Sequence, residues 1–422
     1  MMNFTIKLPS HLPLYGLIAV TIFTALRGYS SVYYLVLAIP LFYYLLTRLN
    51  SLFFINKNHI AFYLFIYYSF FVILWSFAFE LSLSSIGGIP RLLLMPLIAF
   101  IFFNFLRTEK DFLIALNVIF ICILVGALSI IYQFFLGPIA WFAESATRGV
   151  LTRYSSLLGS LTVFGSVTGF LLIYIFGPLN SLRNVFSRAS VFGLLCIATA
   201  ISLQKIALLI LMISSLFLLI YNIKFNGLRI KTGNLVALGL LILSLPLLLL
   251  VSPMMQTYIS SLLTIVFNFD AGQFSSSLVS VNDVRTSTLT LESIIQRLYG
   301  FTLLAYEDYG NYIFFLGVGM RGGAGVMGMD GISAHNGLLE LLLMGGPLYL
   351  LIALFLYFDV QYNLYRDITH KLSATFFILN CIFLVVAIFT AGAFFQPSVS
   401  ILFWLSVAYT MLRKTNTISL SK

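Results

Sequence analysis

Continuous apolar runs, each close to the roughly 20 residues that a bilayer crossing needs, recur along this chain between short polar breaks. Twelve stand out, at 12–28, 31–47, 59–79, 88–105, 112–136, 156–178, 188–202, 205–223, 234–252, 336–358, 373–392 and 396–412. They lack the period-two alternation of a membrane β-barrel, so the pattern predicts α-helices. The pair flanking Leu203 is short and sharply joined. Two polar connections interrupt the rhythm: one over 137–155, the other over 253–335, far longer than a turn. Within the second, "RTSTLTLESIIQRLYGF" sets Leu291, Ile294, Ile295 and Leu298 at helical spacing, which predicts a helix lying on the membrane surface. The glycine-rich "FLGVGMRGGAGVMGMDG" (315–331) follows. No internal repeat divides the chain. The expectation is an all-α polytopic membrane protein of about 12 transmembrane helices, forming a single integral domain over 1–422.

Composition sharpens this picture. Of 422 residues, 61% are hydrophobic and 9% charged, with 42 Phe and 23 Tyr, more apolar surface than a soluble domain could hide. The net charge of +10 invites a nucleic-acid reading, but the placement of the cations explains it better. One set of short connections carries Arg48, Lys57, Arg107, Lys110, Arg183, Arg188, Lys224, Arg229, Lys231, Arg366 and Lys371; the opposite set carries Arg27, Arg91, Arg148, Arg153 and Lys205. Eleven against five puts the first set in the cytoplasm. Lys7, Arg413, Lys414 and Lys422 fall on that same side, so both termini are expected inside and the 137–155 and 253–335 loops outside. The first run lacks a small-x-small cleavage site and reads as a retained helix. Cys122, Cys196 and Cys381 all sit in apolar runs and suggest neither disulfides nor a metal site.

Candidate chemistry then gathers on the outer side. His11, His59 and His370 fall to the cytoplasmic side, and His335 is the sole outward histidine. It stands where a loop becomes a helix, and the positive end of the helix dipole there keeps an imidazole neutral and able to accept a proton. Around it the outer side carries Arg148, Arg153, Lys205, Arg285, Arg297 and Arg321, with Arg91 close to an apolar run. Arginines at a membrane-level cavity suit a phosphate or pyrophosphate, through forked charge-assisted hydrogen bonds. The plainer alternatives are a capping role for His335, and arginines paired with Glu144, Asp283 or Glu292 or reaching lipid headgroups. The outward acids show no metal-ligand spacing, and "GVGMRGG" lacks the strand-then-helix setting of a dinucleotide site, so no metal and no cofactor are expected.

"AHNGLLELLLMGGPLYLL" resembles the signature of the O-antigen ligase and polymerase superfamily, in which a His-Asn pair opens a membrane helix after a large periplasmic loop. "FLGVGM" is similar to that family's Gly-x-Gly turn, "VRTSTLTLESIIQRL" to its arginine-led surface helix, and "RYSSLLGSLTVFG" to its first outer-loop motif. The resemblance covers residues 140–350 in order and spacing; it departs at "SLQKIALL", where the family often has Ser-Arg and this chain has Lys205. It implies a GT-C-like glycosyltransferase of the bacterial inner membrane, working at its periplasmic face on an undecaprenyl-pyrophosphate-linked oligosaccharide. It further implies His335 as the acceptor-activating or positioning group, Asn336 as its partner or a sugar ligand, and Glu340 as an orienting group. Arg153 and Arg285 would hold the pyrophosphate, with Lys205, Arg321, Arg148 and Arg91 in support. Polymerisation of lipid-linked repeat units, with a chain-length regulator as possible partner, is the expected activity. Transfer to lipid A core by a ligase is the runner-up. Transfer to protein is a third choice of acceptor, and a lipid-linked sugar transporter is the alternative of different class.

Overall fold

A computed structural model of the chain describes residues 12–25, 30–47, 57–79, 83–139, 145–148, 151–159, 163–179, 185–202, 204–226, 315–319, 336–390 and 392–415. Its helices are α1 (Leu12–Ile22), α2 (Ser30–Thr47), α3 (Ile60–Phe79, entered through a 3-10 turn at Lys57–His59), α4 (Leu83–Phe105) and α5 (Glu109–Leu136). Then come α6 (Val163–Phe176), α7 (Val185–Ser202), α8 (Lys205–Asn226), α9 (Gly337–Arg366), α10 (Lys371–Phe389) and α11 (Pro397–Lys414). Eleven of the expected runs thus fall on helices; 234–252, and all of 253–335 except 315–319, lie outside the described residues. Among the described residues, four helices are long and apolar enough to cross a bilayer: Ile60–Phe77, Glu109–Leu136, Gly337–Arg366 and Lys371–Phe389. Large apolar side chains such as Ile39, Leu74 and Leu351 remain mostly exposed on the outside of the bundle, as a lipid environment requires.

The segment 137–155, expected as a loop in an all-α protein, holds strands β1 (Ser145–Arg148) and β2 (Leu151–Tyr154), paired antiparallel with Ala146 opposite Arg153. Apolar periodicity does not mark so short a hairpin, because strands of four residues each span only two alternations.

Helices α6 and α8 approach closely because α6 presents glycines four residues apart. A Cβ at Gly165 would lie 2.7 Å from the Ile206 side chain, and one at Gly169 2.6 Å from that of Ile210. This is the small-xxx-small packing of helices that gain no hydrophobic drive from lipid. Helix α5 starts at a capping box, in which Thr108 accepts from the Asp111 amide while the Asp111 carboxylate takes the Thr108 amide.

The helices of the bundle share two ends. One, here the hairpin end, gathers β2, the α7–α8 junction, the start of α9 and the turn 390–396. At about 1.5 Å per residue, the 28 residues of α5 carry the other end, with Glu109, roughly 40 Å away.

Candidate functional site

The hairpin end is tied together by uncharged polar side chains. Beyond β2, Ser155–Gly159 forms a tight turn that packs over α5: Gln133 Nε2 donates to Ser155 O at 2.8 Å and Ser129 Oγ accepts from the Leu157 amide at 3.1 Å. The same turn reaches α1, where Thr24 Oγ1 donates to Leu158 O and the Ala25 amide to Leu157 O. Thr24 in turn accepts from Gln396 Nε2 at 3.4 Å, which links the turn to the start of α11. Gly159, with φ of +139°, leaves no room for a side chain: a Cβ there would sit 2.4 Å from Thr24 Oγ1.

The first turn of α9 is anchored to the same network. Asn336 caps the helix, its Oδ1 accepting from the Leu338 and Leu339 amides at 2.9 Å each. One turn on, Glu340 is fully buried, and its carboxylate accepts from the Gly392 amide. The positive end of the helix dipole also favours that carboxylate. Gly392 belongs to the turn 392–395, held by Trp404 Nε1 donating to Phe394 O at 2.9 Å. On its near side Thr390 meets Ser166 of α6 at 3.0 Å, hydroxyl to hydroxyl. Next to Ser166, the Gly165 amide donates to Gln204 Oε1 at 2.6 Å, fixing the residue before Lys205.

Among the described residues, four buried polar atoms at this end have no hydrogen-bond partner: Gln133 Oε1, Thr199 Oγ1, Gln204 Nε2 and Ser398 Oγ. Each is an amide or hydroxyl, the chemistry that meets water or a sugar hydroxyl rather than a charge.

The sequence-predicted site residues distribute as follows. Arg153 lies on β2, which packs against α5 and α7; Arg148 ends β1; Lys205 opens α8; Arg91 lies eight residues into α4. Asn336 and Glu340 lie on the first turn of α9, joined to the β2 side through turn 390–396, Gln396 and Thr24. His335, Arg285 and Arg321 lie outside the described residues. The Asn336 carbonyl oxygen is taken up by helix capping, and the Glu340 carboxylate engages Gly392. Gln133, Gln204, Gln396, Thr24 and Ser166 were not singled out from sequence. The available signal was a lone glutamine at or near the end of an apolar run, where a polar group needs a partner.

Helix α9 is not continuous. Gly345 and Gly346 leave helical geometry, Gly346 with φ of +71°, and Pro347 follows. The part toward the hairpin end, 337–344, is therefore a half-helix with its own N-terminus.

The far end of the bundle carries a separate, ionic cluster. Arg413 bridges Asp367 and Glu109, the second at 3.7 Å; His370 Nε2 stands 3.3 Å from Glu109; Lys414 contacts both Asp359 oxygens at 2.7 and 2.8 Å. Ser373 donates to Asp367 at 2.7 Å and meets Tyr409 at 3.1 Å. This joins α5, α9, α10 and α11. His59, in the 3-10 turn ahead of α3, is buried beside it, and neither ring nitrogen has a hydrogen-bond partner. Burial pushes its imidazole down to about 4, and the Lys414 ammonium adds to the shift.

Comparison with known proteins finds no matching family model, no matching curated protein and no matching solved structure.

Proposed function

We propose that this protein is a metal-independent glycosyltransferase of the bacterial inner membrane. It polymerises surface polysaccharide from undecaprenyl-pyrophosphate-linked repeat units, with the hairpin end as its periplasmic face. The observation that carries the reading is the hairpin-end network. It runs from the Arg153 strand through Thr24 and Gln396 to the Asn336–Glu340 turn, drawing two of the motif segments that resemble the ligase/polymerase superfamily into one polar layer on an apolar bundle.

In this reading, the guanidinium groups of Arg153 and Arg285, with Lys205, Arg321, Arg148 and Arg91 in support, hold the donor pyrophosphate and stabilise charge as it leaves. A hydroxyl of the acceptor repeat unit attacks the anomeric carbon. The bond from that carbon to the pyrophosphate oxygen breaks, its electron pair departs with undecaprenyl pyrophosphate, and His335 takes the hydroxyl proton. Asn336 and Glu340 act on this step through the backbone they fix. A chain-length regulator is the expected protein partner.

Transfer to lipid A core by a ligase is the runner-up; a transporter of lipid-linked sugar is the reading of different class, and the break in α9 is the observation in its favour, since discontinuous helices are common at transporter binding sites. Surface polysaccharide from cells carrying His335→Ala separates the possibilities. A polymerase leaves single repeat units on lipid A core; a ligase leaves polymer on its polyprenol carrier and none on lipid A; a transporter leaves the repeat unit on the cytoplasmic side. Arg153→Ala and Arg285→Ala should weaken donor use more than the Lys variants do. Normal polymer length in the His335 and both Ala variants would overturn the proposal.

A further inference from the structure

We infer that Phe315–Gly319 is a backbone splint that holds the 337–344 half-helix of α9 in position. Pro347 has no amide to donate to Leu343 O, and the glycine pair before it leaves helical geometry. The carbonyls freed there are met from outside the helix: the Val318 amide donates to Leu343 O at 2.7 Å, the Gly319 amide to Met344 O at 2.9 Å and Tyr68 Oη to Gly345 O at 2.9 Å. The splint is itself fixed to α3, where Trp75 Nε1 donates to Gly317 O at 3.0 Å. Its approach demands glycine. A Cβ on Gly317 would stand 2.6 Å from the Gly345 amide nitrogen and one on Gly346 2.6 Å from Phe315 O, both backbone atoms, and both residues have positive φ.

In a bilayer no water reaches unpaired carbonyls at a break, so a helix broken here needs such a donor. The consequence is that the placement of Asn336 and Glu340 depends on chain that precedes them by about twenty residues, through the joint rather than through direct contact. The half-helix is a positioned element, and Tyr68, Gly317 and Gly319 are positioning residues for the end it carries.

Amide hydrogen exchange on the full chain in lipid nanodiscs tests this without any substrate. The Val318 and Gly319 amides should be protected. In Gly317→Ala, peptides covering 315–319 and 337–344 should both exchange about tenfold faster or more, while the rest of α9, 348–366, is unchanged. Tyr68→Phe, which keeps the ring and removes one hydrogen bond, should quicken 337–344 by about fivefold and serves if the glycine variant fails to fold. Gly193→Ala, at a position with open space, is the control. Wild-type exchange of 337–344 in Tyr68→Phe, or once the splint is released, overturns the inference, as does a free Val318 amide in the wild type. A second arm rests on the proposed reaction: with purified lipid-linked repeat units, Tyr68→Phe should lower turnover with little change in KM for donor. Faster exchange with normal turnover would leave the splint standing and count against the proposed reaction alone.

Discussion

His59 gives the sharpest quantitative prediction. Its ring is buried with both nitrogens unpaired, edge-on to Phe103 with ring centres 5.3 Å apart, and its pKa is lowered from 6.5 to about 4 by burial first and Lys414 second. The Asn58 backbone and, less so, Asp359, paired with that lysine, oppose the shift without cancelling it. The folded pKa lies below the unfolded one. The unfolded chain therefore binds the extra proton first as pH falls, and stability is lost between about pH 6.5 and pH 4. At pH 5 the two values imply a loss of about 2 kcal/mol, rising to about 3 kcal/mol at pH 4. His59→Phe removes the titration and both unpaired nitrogens while keeping the contact with Phe103, so at pH 7 the variant should match or exceed the wild type. The informative quantity is the difference between the two proteins, in which every contribution common to both cancels. Thermal unfolding of purified wild type and variant in detergent, from pH 7.5 to 4.5, reads it directly. The gap should widen in the variant's favour as pH falls below 6.5. A difference that stays flat to pH 5 would show that the imidazole charges freely, and the burial argument would fail.

Two further outcomes follow from packing and charge. Gly169→Leu should separate α6 from α8, because even a Cβ there meets Ser214 Oγ at 2.2 Å; overpacking of about 1–3 kcal/mol should appear as a lowered midpoint in detergent melts, against little effect of Gly193→Ala. Arg413→Ala should destabilise by about 1–3 kcal/mol, by leaving partly buried Asp367 and Glu109 without their shared cation; Arg413→Lys should recover part of this, and equal melts for all three proteins would show that the cluster contributes nothing.

Much of the architecture could be read before any coordinates. Runs of twenty apolar residues admit few structures in lipid other than helices, because each backbone amide must find its partner within its own segment. That is why eleven of the expected spans fall on helices. Asn336 was also readable as a helix start, since an Asn directly before an apolar-periodic run is a capping signal. The β1–β2 hairpin was not readable, because strands of four residues each are too short to leave a period-two trace. Nor was the glutamine network. Gln133, Gln204 and Gln396 stand in different runs, and what joins them is the distance between helix ends, which no local pattern encodes.

The sequence by itself determined that this chain is a bundle of apolar helices and where most of them begin and end; the run 336–358, expected as one span, is disturbed at Gly345-Gly346-Pro347, where proline removes a donor. Only the tertiary structure decided what repairs that disturbance: a glycine turn distant in the chain and a tyrosine from α3 supply the missing donors. It also decided which polar groups share an end. Local physics selects helices residue by residue, whereas hydrogen-bond partners for a broken helix or a buried glutamine are selected by packing, a property of the whole fold.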